Sequence, residues 1–293
     1  DILIVSWQVD FGEMHTVDLT KEAFPDFLKE LILDASADFW AWNPSFERVC
    51  LSRYFVRKGW IKGPFIDPSN WYDEMVHANE LGLPAALGRC AMYLNIDEQK
   101  DARGTALINY FSKPCKPTKA NGMRTRNLPE HDLEKWETYI FYNSQDVRTQ
   151  TAIAQKLARF PVPESEWELY HLDQQINDRG TKIDRKLAES AIEIMDDVTE
   201  ENMAKLKEVT GLENPNSLKQ LKEWLSDQGT PFETLGKKLV EEAIALGELP
   251  PQVEEALRLR LNLSNSSTKK YVMMDEATCD DGRMHGILQF YGA

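Results

Sequence analysis

Cysteine and histidine are sparse in this sequence, and neither is grouped. Cys50, Cys90, Cys115 and Cys279 are scattered without paired spacing, which argues against a disulfide scaffold and reads as reduced cytosolic thiols. His15, His77, His131, His171 and His285 are equally dispersed. None pairs with a cysteine at zinc-finger spacing, which argues against a structural zinc site. No apolar run approaches the roughly twenty residues needed to cross a bilayer, so no membrane partner is expected. Internal repeats and low-complexity tracts are also missing. Basic residues are in deficit, 34 against 48 acidic ones, for a net charge of −14. Nucleic-acid binders usually carry the opposite sign. Composition alone therefore speaks against such a partner, unless the basic residues cluster. A protein that gathers carboxylates around metal ions also looks acidic.

With 293 residues, 42% of them hydrophobic and 28% charged, the chain can form two ordinary domains with separate cores. Residues 2–7, Ile-Leu-Ile-Val-Ser-Trp, form an apolar run that predicts a strand buried on both faces. Asp10-Phe-Gly-Glu13 supplies a turn, and residues 14–19 suit the returning strand of a hairpin. Phe24, Phe27, Leu28, Leu31 and Ile32 recur at helical spacing, and residues 38–42 read as another strand. This order is that of an α/β domain. Helix predominates over residues 45–159, broken at 59–68 and 113–129. Pro161-Val-Pro163 is the clearest boundary. Beyond it the chain reads as helical. Residues 186–209 form a long helix with Leu187, Ala191, Ile194, Val198, Leu206 and Val209 on one stripe, capped by Asp184 and stopped before Gly211. A second long helix is predicted over 251–274, with short ones at 218–228 and 237–246 between them. Asp281-Gly282 signals a hairpin between residues 277–280 and 283–291. Trp167 and Trp224 are expected in the core.

Two patterns in the first half carry chemistry. Trp42-Asn43-Pro-Ser-Phe-Glu47 stands where a strand gives way to a helix, the sheet edge at which open α/β folds bind ligands. Tyr142-Asn-Ser-Gln-Asp146 lies on a helix, where residues i and i+4 share a face. Singly each is weak; their order within one α/β domain is not. Asn43…Glu47 and Tyr142…Asp146 resemble the second and third exonuclease motifs of the proofreading domain of family A (DNA polymerase I-like) DNA polymerases. The second half agrees. Residues 177–184, Asn-Asp-Arg-Gly-Thr-Lys-Ile-Asp, resemble the segment that opens the polymerase thumb. Asn214-Pro-Asn-Ser217-Leu-Lys219 resembles the thumb tip, Ser264-Asn-Ser-Ser-Thr-Lys269-Lys270-Tyr271 the end of the second thumb helix, and Gly282-Arg-Met-His285 the first palm hairpin. The likeness is strongest to phage-type members.

The resemblance implies an RNase H-like 3′–5′ exonuclease domain over residues 1–160, a mainly helical thumb over 161–276, and the start of a palm β-hairpin over 277–293. It implies a monomer in the bacterial cytoplasm, phage- or prophage-encoded, that takes part in DNA replication. Its partners would be primer-template duplex at the thumb and a single-stranded 3′ end at the exonuclease site. Glu47 and Asp146 would be ligands of a two-metal Mg²⁺ or Mn²⁺ site, suited to hard oxygen donors. Tyr142 would orient the attacking water and Asn43 would help hold the substrate. Asn214, Ser217, Lys219, Lys269 and Lys270 would contact duplex phosphates. The sequence departs from the pattern at Glu47, where the family usually has Asp, and in carrying no Asp-x-Glu first motif. The expectation is a polypeptide that begins upstream, with the polymerase carboxylates beyond residue 293 and an exonuclease site that is incomplete and inactive in this segment. Two rival readings are a stand-alone 3′–5′ exonuclease and a non-catalytic DNA-binding remnant. One anomaly remains: residues 111–126 hold Lys113, Lys116, Lys119, Arg124 and Arg126 with no acid, either a strand-guiding loop or an ordinary solvated one.

Overall fold

The computed structural model describes residues 2–97, 104–264 and 269–291. It divides into two compact units, Asp1–Arg179 with Gly286–Ala293, and Gly180–His285. The division falls one helix beyond the prolines at 161 and 163. That helix, α7 (Glu164–Arg179), buries Trp167 and Tyr170 against Val76 and Val162 of the first unit.

The first unit opens with an antiparallel hairpin of β1 (Ile4–Gln8) and β2 (Met14–Asp18), in which Ile4 faces Asp18 and Gln8 faces Met14. Asp10 and Phe11 turn it at positive φ. Then come α1 (Asp26–Asp34), β3 (Phe39–Ala41), α2 (Ser45–Lys58), β4 (Trp71–Asp73) and α3 (Glu74–Glu80). β3 and β4 pair in parallel, with Ala41 beside Asp73, so both strands deliver their C-terminal ends to one edge. α1 and α2 close a core of Phe24, Leu28, Ile32, Leu51, Phe55, Ile66 and Trp71. α4 (Leu87–Tyr93), α5 (Gly104–Phe111) and the 25-residue α6 (Leu133–Leu157) complete the unit before α7. α6 starts on Asp132, whose carboxylate accepts the Lys135 N–H. Three polar bonds seat it on the hairpin. Trp136 Nε1 donates to Asp18 Oδ2 at 2.8 Å, Ser6 Oγ to Asn143 Oδ1 at 2.6 Å, and Thr151 Oγ1 to Gln8 Oε1 at 2.8 Å.

The second unit holds β5 (Thr181–Lys182), α8 (Arg185–Thr210), α9 (Leu218–Asp227), α10 (Lys237–Leu246), α11 (Pro251–Leu263), α12 (Lys269–Ala277) and β6 (Arg283–Met284). Leu206, Leu221, Leu225, Val253 and Leu257 form its core. Asp184 caps α8, and Gly211, at a φ of 68°, ends it. Two expectations need correction. Residues 277–280 do not form a strand: α12 runs to Ala277, the turn at Asp281-Gly282 is closed by the Cys279 N–H on the Arg283 carbonyl at 2.9 Å, and β6 pairs with β5, Thr181 opposite Met284. The stripe on α8 is also only partly buried. α11 covers its C-terminal half, while Leu187, Ile194 and Val198 stay exposed. The helix predicted over 251–274 includes residues 265–268, which lie outside the described residues. The four cysteines are free, and among the described residues no helix is long and apolar enough to cross a membrane.

Candidate active site

Asn43 makes the corner between β3 and α2. Its φ of 65° lies in the left-handed region, which asparagine tolerates better than most residues. Its N–H donates to Asp73 Oδ1 at 2.9 Å, and its own Oδ1 accepts the Ser45 hydroxyl at 2.6 Å. Asp73 Oδ1 also accepts the Met75 N–H at 2.8 Å, capping α3. One buried carboxylate on β4 therefore fixes the neighbouring strand end and the helix after it.

Glu47 stands in the first turn of α2. Packing of protein around its carboxyl pushes the pKa up to about 7, and the charges of Asp73 and Asp146 push the same way against its own backbone N–H. Burial likewise raises Asp73 to about 6, moderated by the N–H groups of Asn43, Met75 and Val76. Residues 73 and 146 thus both come within electrostatic reach of Glu47, although α2 and α6 are about a hundred residues apart in sequence. Arg48, next to Glu47, is spent elsewhere. Its guanidinium forms two 2.7 Å bonds to Asp178 on α7 and a third, of 2.8 Å, to the Ile66 carbonyl. These bonds set the roll of α2 and so the direction in which Glu47 projects.

On α6, Tyr142 and Asp146 are one turn apart. Asp146 is half-buried, with Oδ1 shielded from solvent. The Tyr142 ring is 6% exposed and belongs to a core with Ile4, Leu107, Phe111 and Trp136. It stacks on Tyr139 at 6.3 Å, and Tyr139 stacks on Phe111 at 5.6 Å. It also lies flat on Gly104, where a Cβ would stand 2.1 Å from Tyr142 Cε2. Only glycine fits there. Sequence reasoning missed Asp73, Gly104 and the Arg48–Asp178 pair. For Asp73 a signal existed: Trp71-Tyr-Asp73 is a short apolar run that ends in a helix-capping acid, the same syntax as the Asn43 corner. For Gly104 there was none.

In the second unit the Asn214 carbonyl accepts the Ser217 N–H at 3.0 Å, and Ser217 Oγ accepts the Gln220 N–H at 3.4 Å as the cap of α9. Lys219 follows in the first turn, exposed and 4.0 Å from Glu223. Ser217 is thus first a helix cap. Lys269 and Lys270 are exposed at the start of α12 and, with Met273, Met274 and Met284, line a shallow concavity of about 360 Å³. Gly180, at a φ of 68°, lets β6 pass close by: a Cβ there would stand 2.8 Å from the Met284 carbonyl and from His285 Nδ1. The segments around Gly180 and Gly282–His285 are therefore neighbours.

The chain is similar to a phage DNA polymerase. Over 294 aligned residues, 100% of this chain, it is 41% identical to the DNA polymerase of Bacillus phage SP02. It spans 44% of that protein's length. No protein-family model matches it.

The residues present fit a hard divalent cation in chemistry but not in number. Glu47 and Asp146 are oxygen donors whose mutual repulsion a cation would relieve. Asp73 is already spent on three backbone N–H groups. Among the described residues, no group of three or more His, Cys, Asp or Glu side chains is arranged to hold a metal ion.

Proposed function

We propose that this chain is part of a family A DNA polymerase, its first unit an RNase H-like 3′–5′ exonuclease domain and its second the thumb that holds duplex DNA. What carries this reading is the meeting of Glu47, from a strand-to-helix corner, with Asp146, from a helix that also presents Tyr142, in a chain similar along its whole length to a phage DNA polymerase. A bound Mg²⁺ or Mn²⁺ would supply charge neutralisation at the phosphate and a more acidic water. Glu47 and Asp146 would hold it. Asn43, exposed at its corner, would hold the substrate, and Tyr142 would orient the water from a ring fixed by Gly104 and Tyr139. Asn214, Ser217, Lys219, Lys269 and Lys270 would contact phosphates without reading bases.

Metal-linked stability tests the site. Mn²⁺ in excess over EDTA is expected to raise the melting temperature of the chain, by linkage worth about 2.7 kcal/mol at a hundred times the dissociation constant. Asp146→Ala should abolish the rise. The small number of metal donors among the described residues favours one second reading, a non-catalytic DNA-binding protein of the same descent. A melting temperature indifferent to Mn²⁺, with duplex binding intact, decides for it.

A further inference from the structure

The segment between α5 and α6 has no part in the site above. Residues 111–126 carry five cations and no acid, within a chain of net charge −14. Such a run is often a solvated loop. Here two features show construction. Its shape is fixed from inside: Asn121 Nδ2 donates to the Lys116 carbonyl at 2.8 Å, and Asn121 Oδ1 accepts the Thr118 N–H at 2.9 Å. The Cys115 N–H reaches the Thr125 carbonyl at 2.7 Å. Arg124 Nε donates to Asn127 Oδ1, and Asn127 Nδ2 to the Tyr110 carbonyl. Arg124 is thus used within the loop, while Lys113, Lys116 and Lys119 remain exposed.

Spacing is the second feature. Lys113-Pro-Cys-Lys116-Pro-Thr-Lys119 repeats with a period of three. Each proline fixes its own φ and drives the residue before it into the extended region. In a chain of that kind every third residue returns to the same side, about 9 Å further on. The loop springs from the aromatic stack that ends at Tyr142: Ser112 Oγ and Tyr139 Oη are 2.9 Å apart, and Phe111 and Tyr139 are stacked. Residues 112–126 contain no aromatic ring, so the loop offers charge to a phosphate backbone and nothing to stack on a base.

We propose that Lys113, Lys116 and Lys119 form a rail for the phosphodiester backbone of single-stranded DNA approaching the Tyr142–Asp146 face of α6. This rests on the exonuclease reading of that face. Binding of a 5′-labelled oligothymidylate to the full chain, followed by fluorescence anisotropy in EDTA between 50 and 200 mM salt, tests it. Replacing the three lysines by alanine is expected to weaken binding about tenfold at the lowest salt and to flatten the salt dependence by about two units, from about 0.7 per phosphate contact on a single strand. The three-arginine variant should keep the slope. So should Arg53→Ala with Lys58→Ala and Lys62→Ala, which removes as much charge elsewhere. Equal slopes for the three-alanine loop variant and the parent overturn the rail but leave the site reading untouched. Equal losses in the loop and control variants also overturn it, since charge alone would then be responsible. A parent chain that binds no single strand overturns the rail and the exonuclease reading together.

Discussion

At Glu47 the folded chain holds a proton more tightly than the unfolded one. Protein atoms crowd the carboxyl although the residue as a whole is exposed, and together with the charges of Asp73 and Asp146 this pushes the pKa from an ordinary 4.5 up to about 7. Stability from this group is therefore present at low pH and is lost as pH rises through about 7. Glu47→Gln removes the loss. Its melting temperature should match the parent's near pH 4, exceed it increasingly up to about pH 7, and level off above that. Asp73, raised to about 6, repels Glu47, so the comparison reads the loss of Glu47 together with the relief of that repulsion at Asp73. A difference independent of pH would mean that Glu47 titrates as an ordinary surface acid. The residues of the site were legible to different degrees. Glu47, Tyr142 and Asp146 could be found because helical spacing and order along the chain are local properties. Asp73 and Gly104 owe their importance to a parallel strand pairing and to a ring from a distant helix, and no spacing in one sequence reports those.

Among the elements, the helices were the readable part. α8, α9 and α10 have caps or stops written into the chain at Asp184, Gly211, Ser217 and Gly247, and their bounds fall within a residue or so of the pattern. The strands were harder. β4 is three residues long and β6 two, too short for a period to show, and the strand partner of β6 lies a hundred residues back in the chain. How α2 and α7 are joined was equally invisible. Arg48 is 2% exposed and meets Asp178 through two bonds, so removing the acid strands a buried guanidinium. Asp178→Ala should cost about 3 kcal/mol, read from the urea midpoint. Arg48→Met together with Asp178→Ala should recover much of that, because the uncompensated charge is gone. A double variant no more stable than the single one would show that the pair's worth lies in its geometry and not in charge burial.

At the scale of the whole molecule, a net charge of −14 sets a background that repels DNA, so any binding must come from local clusters of cations. The two units offer different clusters. The loop over residues 111–126 belongs to the first, and Lys269 with Lys270 to the second. If the second unit grips duplex, Lys269→Ala with Lys270→Ala should weaken duplex binding alike for all sequences, since phosphates carry no sequence information. The salt dependence should flatten by about two units, close to one per neutralised phosphate on B-form DNA. The bland alternative treats both lysines as partners of a helix dipole. If their role is to contact DNA alone, the same substitution should leave stability unchanged while it weakens binding. Duplex titrations at several salt concentrations, paired with melting curves, separate the two accounts: an unchanged salt slope with a lowered melting temperature would assign these lysines to the helix, and the opposite pattern assigns them to DNA.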